Sequence, residues 1–416
     1  MVKSTGSMPA KSSRWEDVRS ALVDAARDDV NWRDARTAVY VFNPGEDVMQ
    51  VAKDAYGLYQ SENGLGMAAF PSIKEMEEDV VSMGLRLLNA PAEAAGNMTS
   101  GGTESIFLAV KACRDQAAAA GRSVAGAKII LPRSAHPAFD KAAQNLGLAI
   151  VRVPVAKDFT ADVDAMADAV DANTLMIVGS APCFPYGVMD PIEALGRVAE
   201  ANDLWLHVDA CVGGYFAPFA RMNGIDLPKF DFEVPAVRSM SADLHKYGYA
   251  AKGASTVFHR TSEQRAFQTF TFDDWPAGGM STPTFAGTRP GGAFASAWAV
   301  MHYLGIEGYC AKAKLVTDTR AKLMAAIDGI DGLHNYGDPK LGLFAYGAER
   351  ANIFAIWGAL KAKGWFTGVI TEPQGIQLML SPAHAAVSDE YISDLKEAFA
   401  SASGGAGADA KAGSYN

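Results

Sequence analysis

Cysteine is scarce in this chain. The four in 416 residues, Cys113, Cys183, Cys211 and Cys310, are scattered without C-x-x-C spacing. That argues against a disulfide framework or a zinc site and for reduced thiols in a cytoplasmic protein. Positive charge is in deficit: 37 Lys and Arg against 47 Asp and Glu leave a net charge of −10, which disfavours nucleic acid as a partner. No apolar run approaches the roughly 18 to 20 residues that a membrane helix needs. The opening stretch MVKSTGSMPAKSSRW lacks the apolar segment of a secretory signal. Internal repeats and long linkers are absent too.

What remains is 49% hydrophobic and 20% charged, the balance of a globular enzyme long enough for two domains and a large core. Residues 1–13 and the Gly/Ala-rich tail 401–416 read as disordered. Helical spacing is expected from Trp15 to Ala26, with Val18, Leu22 and Val23 on one face, and again from Val48 to Tyr59 and from about Ser72. Arg36 to Tyr40 reads as extended. Such an N-terminal arm suits a partner subunit's surface.

From about Gly96 short β-branched runs alternate with amphipathic stretches. Strands are expected at Lys128–Leu131, Ala149–Val153, Thr174–Val178, Leu204–Val208, Val237–Met240 and Ser255–Phe258. Helices fall between them, including Ala161–Val170 and Pro191–Ala201, the latter with Asp190 as N-cap. The alternation predicts an α/β fold with a mostly parallel sheet covered on both faces, whose ligands sit at the carboxyl ends of the strands. Phe267 to Gly292 has no clear period and reads as a long functional loop. Helices at Ala293–Leu304 and Ile306–Asp328 follow. Strand-like pieces at Leu343–Tyr346, Asn352–Ile356 and Gly375–Leu380 and a helix from Ser388 to Ala400 then suggest a smaller α+β domain. The division expected is 1–60 for the arm, 61–304 for the large domain, 305–400 for the small one, and the tail.

Four stretches carry chemistry. Gly96 to Ser105, GNMTSGGTES, is small and polar and opens a helix, so its backbone suits a phosphate, or simply caps the helix. His136 follows a strand and offers a ring to stack on a flat ligand, or a surface cap. Asp209 ends the apolar strand LHVD, where a carboxylate needs a partner: a protonated ring nitrogen, a salt bridge or a helix cap. Lys246, in SADLHKYGYAAKG, is an amine in a turn between two strands, useful once it forms a Schiff base with a carbonyl. Cradle, ring, carboxylate and lysine, in that order, are what pyridoxal 5'-phosphate requires.

The stretches GNMTSGGTESI, HVDACVGG, SADLHKYGYAAKG and PTFAGTRPGG resemble sphingosine-1-phosphate lyases of the group II pyridoxal-phosphate-dependent decarboxylase family. The likeness spans roughly residues 36 to 310. It implies a fold-type I enzyme with a seven-stranded sheet in the large domain. It also implies that Lys246 carries the cofactor, Asp209 pairs with the pyridine nitrogen, and His136 stacks on the ring. Ser100, Gly101, Gly102 and Thr103 would surround the cofactor phosphate with His245 close by. Thr288 would reach the phosphate from the other subunit of a homodimer. Tyr40 and Lys252 match positions near the substrate's phosphate and polar head, with Tyr247 and Tyr249 nearby. No metal is implied.

Two departures stand out. Gly66 replaces a histidine that helps bind the substrate phosphate, and Tyr186 replaces the histidine of a Pro-His-Gly. The membrane anchor of eukaryotic relatives is not expected here. The activity implied is retro-aldol cleavage of a phosphorylated 2-amino-3-hydroxy amine, a lipid-like small molecule, to an aldehyde and phosphoethanolamine. Amino-acid decarboxylation is the rival reading, and a non-catalytic scaffold a third.

Overall fold

The computed structural model describes residues 6–403, so the expectations for residues 1–5 and 404–416 lie outside the described residues. Three helices lead: α1 (Trp15–Ala25), α2 (Glu46–Leu58) and α3 (Pro71–Leu87). In α3 the expected face is the buried one, with Ile73, Met76, Val80 and Val81 inside. The periodicity of α1 is real but nothing covers it: it has no buried residue, and Trp15, Leu22 and Val23 are 63%, 60% and 64% exposed. Arg36–Tyr40 forms only an isolated bridge, Thr37 to Phe366, and Tyr40 has φ 64°.

The central sheet has seven strands: β1 (Ala95–Thr99), β2 (Lys128–Pro132), β3 (Ala149–Val153), β4 (Thr174–Ser180), β5 (Trp205–Asp209), β6 (Val237–Ala242) and β7 (Ser255–His259). Their order is β1-β7-β6-β5-β4-β2-β3, with β7 antiparallel to both neighbours and the rest parallel. β4 and β5 are buried along their whole length, which is why they read as continuous apolar runs. β1 was not anticipated. Its sequence AGNMT has little β-branched character, yet it pairs with β7 from Ala95↔His259 to Thr99↔Ser255. Tertiary pairing overrides weak propensity there.

Helices α4 (Gly102–Ala119), α5 (Ala138–Leu146), α6 (Val163–Asp168), α7 (Ile192–Ala201), α8 (Ala217–Met222) and α9 (Ser262–Ala266) join and cover these strands. Asp190 does not cap α7. It is fully buried, and its carboxylate accepts the amides of Ala161 at 2.8 Å and Ser180 at 2.7 Å, which stitches the end of β4 to a neighbouring loop. The expected loop 267–292 contains a hairpin, β8 (Phe270–Phe272) with β9 (Met280–Thr282).

α10 (Gly291–Asp328) is broken at Gly305, where φ 54° and ψ −172° leave the helical region, so the two expected helices meet at that glycine. A second, antiparallel sheet follows. It comprises β10 (Leu333–Asn335), β11 (Leu343–Ala348), β12 (Gly368–Thr371) and β13 (Gln374–Met379) in the order β10-β11-β13-β12. The stretch expected as a strand at Asn352–Ile356 is instead the start of α11 (Ile353–Ala362): Asn352 Oδ1 accepts the Phe354 amide at 2.9 Å, an N-cap that outweighs the β-branched residues. The last helix, α12 (Ser388–Ser403), runs through the residues expected to begin the tail.

Candidate active site

Parallel strands end on the same edge of the sheet, and three of them deliver the site. Asp209 is the last residue of β5, paired in register with Ser180 of β4 and Ser241 of β6. Lys246 lies four residues past β6 and His136 four past β2. With the first turn of α4 they line a cavity of about 420 Å³. Ten of the thirteen expected site residues border it: Tyr40, Ser100, Gly101, Gly102, Thr103, His136, Asp209, His245, Lys246 and Lys252.

The cavity's charge is organised around a residue the sequence reading overlooked, Asp243. It is 3% exposed, and its Oδ2 stands 2.9 Å from Lys246 Nζ and 3.8 Å from His245 Nε2. Burial alone would raise the Asp243 carboxyl, but Lys246 and then His245 hold it below the usual carboxylate range. The converse holds for Lys246. Burial would depress its ammonium, and the Asp243 charge and hydrogen bond reverse that and hold it above the ordinary lysine value. Burial, helped by Lys252 and Lys246, takes His245 down to about 4 despite Asp243. Burial likewise lowers His136, so both rings are neutral at pH 7. The signal for Asp243 was available: a carboxylate three residues before the lysine, in a turn directly after a buried strand.

Asp209 is held by bonds that all use Oδ1, which accepts the Cys211 amide at 3.0 Å and the Ser241 hydroxyl at 3.3 Å. Oδ2 is left for a further donor. The His136 ring is fixed by Nδ1, which accepts the Ala138 amide at 3.1 Å. Lys252 Nζ donates to the carbonyls of Tyr40 at 3.0 Å and His245 at 3.4 Å and lies 5.4 Å from the Phe42 ring. Tyr40 holds its left-handed backbone at this wall, the kind of strain that clusters at functional sites.

Three expected residues lie elsewhere. The Tyr247 hydroxyl donates to Leu380 O at 2.7 Å, and its ring stacks on Phe216 at 4.3 Å, behind the cavity wall. Tyr249 is buried beside Tyr309. Thr288 is exposed and outside the cavity of its own chain. Tyr186, at one of the two departures, donates its hydroxyl to Glu372 O at 2.6 Å, also away from the cavity.

The residues fit a phosphorylated pyridine aldehyde. Asp243 Oδ1 is buried without a hydrogen-bond partner, beside the amine that would take the aldehyde. At Gly102 a Cβ would come within 2.8 Å of Cys211 Sγ and 2.9 Å of Asp243 Oδ1, so only glycine lets the α4 amides face the cavity. That amide cluster at a helix start is the natural seat of a phosphate.

Comparison with known proteins agrees. Residues 6–329 match the pyridoxal-dependent decarboxylase conserved domain. The chain is 38% identical over 376 residues to a sphingosine-1-phosphate lyase of Oryza sativa, covering 89% of this chain and 70% of that one. The structure of a sphingosine-1-phosphate lyase from Burkholderia pseudomallei superposes with a TM-score of 0.92 at 35% identity, over 96% of this chain and 93% of that one. A glutamate decarboxylase from Lactobacillus brevis superposes with a TM-score of 0.84 at 20% identity over 97% and 96%, which speaks for the fold alone. The chain thus belongs to the pyridoxal-dependent decarboxylase family, with the sphingosine-1-phosphate lyase-like members.

Proposed function

We propose that this chain is a pyridoxal-phosphate-dependent carbon–carbon lyase that cleaves a phosphorylated 2-amino-3-hydroxy amine of the sphingoid-base type into an aldehyde and phosphoethanolamine. One observation carries the reading: Lys246 Nζ stands 2.9 Å from buried Asp243 in the cavity that Asp209, His136 and the Ser100–Thr103 cradle also line. The likeness to sphingosine-1-phosphate lyases over most of the chain supports the substrate class.

Pyridoxal phosphate, when bound, supplies an electron sink that weakens bonds at the carbon bearing the amine. The chain's own groups do the rest. Ser100, Gly101, Gly102 and Thr103 would hold the phosphate, Asp209 Oδ2 would balance a positive pyridine nitrogen, and neutral His136 would cover the ring face. Lys246 presents its amine to the aldehyde. Cleavage takes the proton from the substrate's hydroxyl as the carbon–carbon bond breaks and returns a proton to the amine-bearing carbon; Lys246 would carry the returned proton, since the Tyr247 hydroxyl is committed to Leu380 O. Lys252, beside Tyr40, attracts the anionic group of the substrate.

The site works as a homodimer in this reading. The uncovered face of α1 and the exposed Phe270, Phe272, Trp275 and Phe285 are apolar surface in want of a partner. Thr288, exposed and away from its own cavity, serves the partner's phosphate. The chain divides near residue 304 into large and small domains. Its four free cysteines fit a cytoplasmic location. No described helix is long and apolar enough to cross a membrane.

The test is to incubate purified protein and pyridoxal phosphate with a phosphorylated 2-amino-3-hydroxy amine and, separately, with a panel of amino acids. Aldehyde and phosphoethanolamine are expected from the first. Carbon dioxide from the second, without aldehyde from the first, would overturn the lyase in favour of a decarboxylase.

A further inference from the structure

Glu104 sits in the first turn of α4, directly after the Ser100–Thr103 cradle. A capping carboxylate at that position needs one oxygen, and Oε2 does that work, accepting the Ser100 amide at 2.7 Å and the Ser100 hydroxyl at 2.6 Å. The other oxygen serves a distant stretch: Oε1 accepts the amides of Phe285 at 2.8 Å and Ala286 at 3.3 Å. One turn along α4, Phe107 meets the Phe285 ring edge-on at 5.2 Å.

The other side of this stretch is fastened as firmly. Arg289 is 4% exposed and paired with buried Glu77 at 2.5 Å, and it also donates to Met98 O of β1 at 3.1 Å and to Gly64 O at 3.3 Å. Thr288 therefore lies between two charged fastenings, Glu104 in the first turn of α4 and Arg289 on Glu77 of α3 and Met98 O of β1. Yet Thr288 is exposed, Phe285 is 76% exposed, and no residue from 285 to 289 borders the cavity of this chain. A short segment held this rigidly with its tip outward does nothing for its own site. It is shaped for a surface that another molecule brings.

The geometry points to Glu104 as a positioning residue for the partner subunit's cofactor: it fixes residues 285–289 of its own chain so that Thr288 meets the neighbouring site. This rests on the dimer reading above and adds a residue whose effect must appear in trans. Glutamine at 104 has one acceptor oxygen in place of two, so it accepts from the Ser100 amide or from the 285–286 amides but not from both. Aspartate is one methylene shorter and keeps the charge while losing the reach.

The experiment uses full-length mixed dimers in which only one chain retains Lys246, the other carrying Lys246→Ala. The readout is the rate at which borohydride-trappable pyridoxal 5'-phosphate is lost on dilution, so it reports one site per dimer. Glu104→Gln on the Lys246→Ala chain should speed the loss by on the order of 10-fold, the worth of a charged hydrogen bond. On the chain that retains Lys246 the same substitution also loosens Ser100 of that site's own cradle, so the deciding comparison stays on the Lys246→Ala chain, where Glu104→Gln added to Thr288→Ala should change the rate by no more than about 2-fold. Glu104→Asp and Thr288→Ala, each placed on the Lys246→Ala chain, should reproduce the acceleration, and they decide the matter if the glutamine variant does not fold. No acceleration by Glu104→Gln on the Lys246→Ala chain, or a further acceleration of similar size on top of Thr288→Ala, overturns the proposal while leaving the dimer intact. A monomer by light scattering would remove the dimer reading itself, and the proposal with it.

Discussion

The wall built by β5, β6 and the turn after β6 differs in kind from the face built by residues 63–66 and 285–289. On the wall, Asp209 and Asp243 are 8% and 3% exposed; Asp243 is paired with Lys246 three residues on, and Asp209 accepts from the Cys211 amide and the Ser241 hydroxyl. On the face, Leu65 and Phe285 are 48% and 76% exposed, and Thr288 is exposed and does not border its own cavity. The wall is complete within one chain. The proposed dimer would give the face a second chain to meet. A substitution on the wall should therefore abolish chemistry, whereas one on the face should tune it.

The sharpest way to break that contrast is Lys246→Ala. Borohydride should then fix no cofactor at position 246, and turnover should fall by on the order of 10⁴- to 10⁶-fold, as when a reacting group is deleted. Peptide mapping that finds the label elsewhere would dismantle the wall as described. Next comes Asp209→Asn. Removing one partner of a buried charge pair costs about 3–5 kcal/mol, so turnover should drop by on the order of 10²- to 10⁴-fold. A loss under about 3-fold would mean Asp209 is only a structural tie to Cys211 and Ser241.

Asp243→Asn probes the electrostatics with less effect on the rate. The Asp243 charge is what holds the Lys246 ammonium above its ordinary value against burial. Without it, burial prevails and the lysine pKa falls. The pH at which apo-protein captures pyridoxal phosphate half as fast as its maximum should move to lower pH, because the neutral amine forms sooner as pH rises. Stopped-flow absorbance from pH 6 to 12 reads this directly. An unchanged or higher midpoint would show that Asp243 does not control the lysine.

How much of this was legible follows the same divide. β4 and β5 were evident because burial on both faces writes a continuous apolar run, and Asp209 and Lys246 were found because each breaks such a run with a charge. β1 was hidden: AGNMT carries no strand signal, and only its pairing with β7 makes it one. Asp243 was missed because a carboxylate in a turn looks solvated until the fold closes over it. Tyr247 and Tyr249 were placed at the site by adjacency to Lys246, but side chains one and three residues along a tight turn point elsewhere, and theirs pack into the core. Glu104 reads as half of a capping box, and nothing local announces that its second oxygen holds a loop some 180 residues away.

The mildest effect is expected at Gly66, and it tests the face rather than the wall. Its backbone is outside the left-handed region, a Cβ there would meet nothing within 4 Å, and its amide donates to Asn63 Oδ1 at 3.2 Å whatever the side chain. Gly66→His should therefore fold without strain. Its neighbour Gly64 is bound to Arg289 in both directions, amide to carbonyl at 2.9 Å and guanidinium to carbonyl at 3.3 Å, so residues 63–66 and 285–289 move as one piece. Whichever site Thr288 serves, position 66 serves too. A partly exposed imidazole against a phosphate is worth at most about 1 kcal/mol, so KM for the phosphorylated amine should fall by about 3- to 5-fold, with kcat unchanged. In mixed dimers with one Lys246→Ala chain, that gain should appear only when the histidine is on the chain that lacks Lys246. A gain confined to the chain that carries Lys246 would mean the face belongs to its own cavity after all, and the contrast between the two regions would fail.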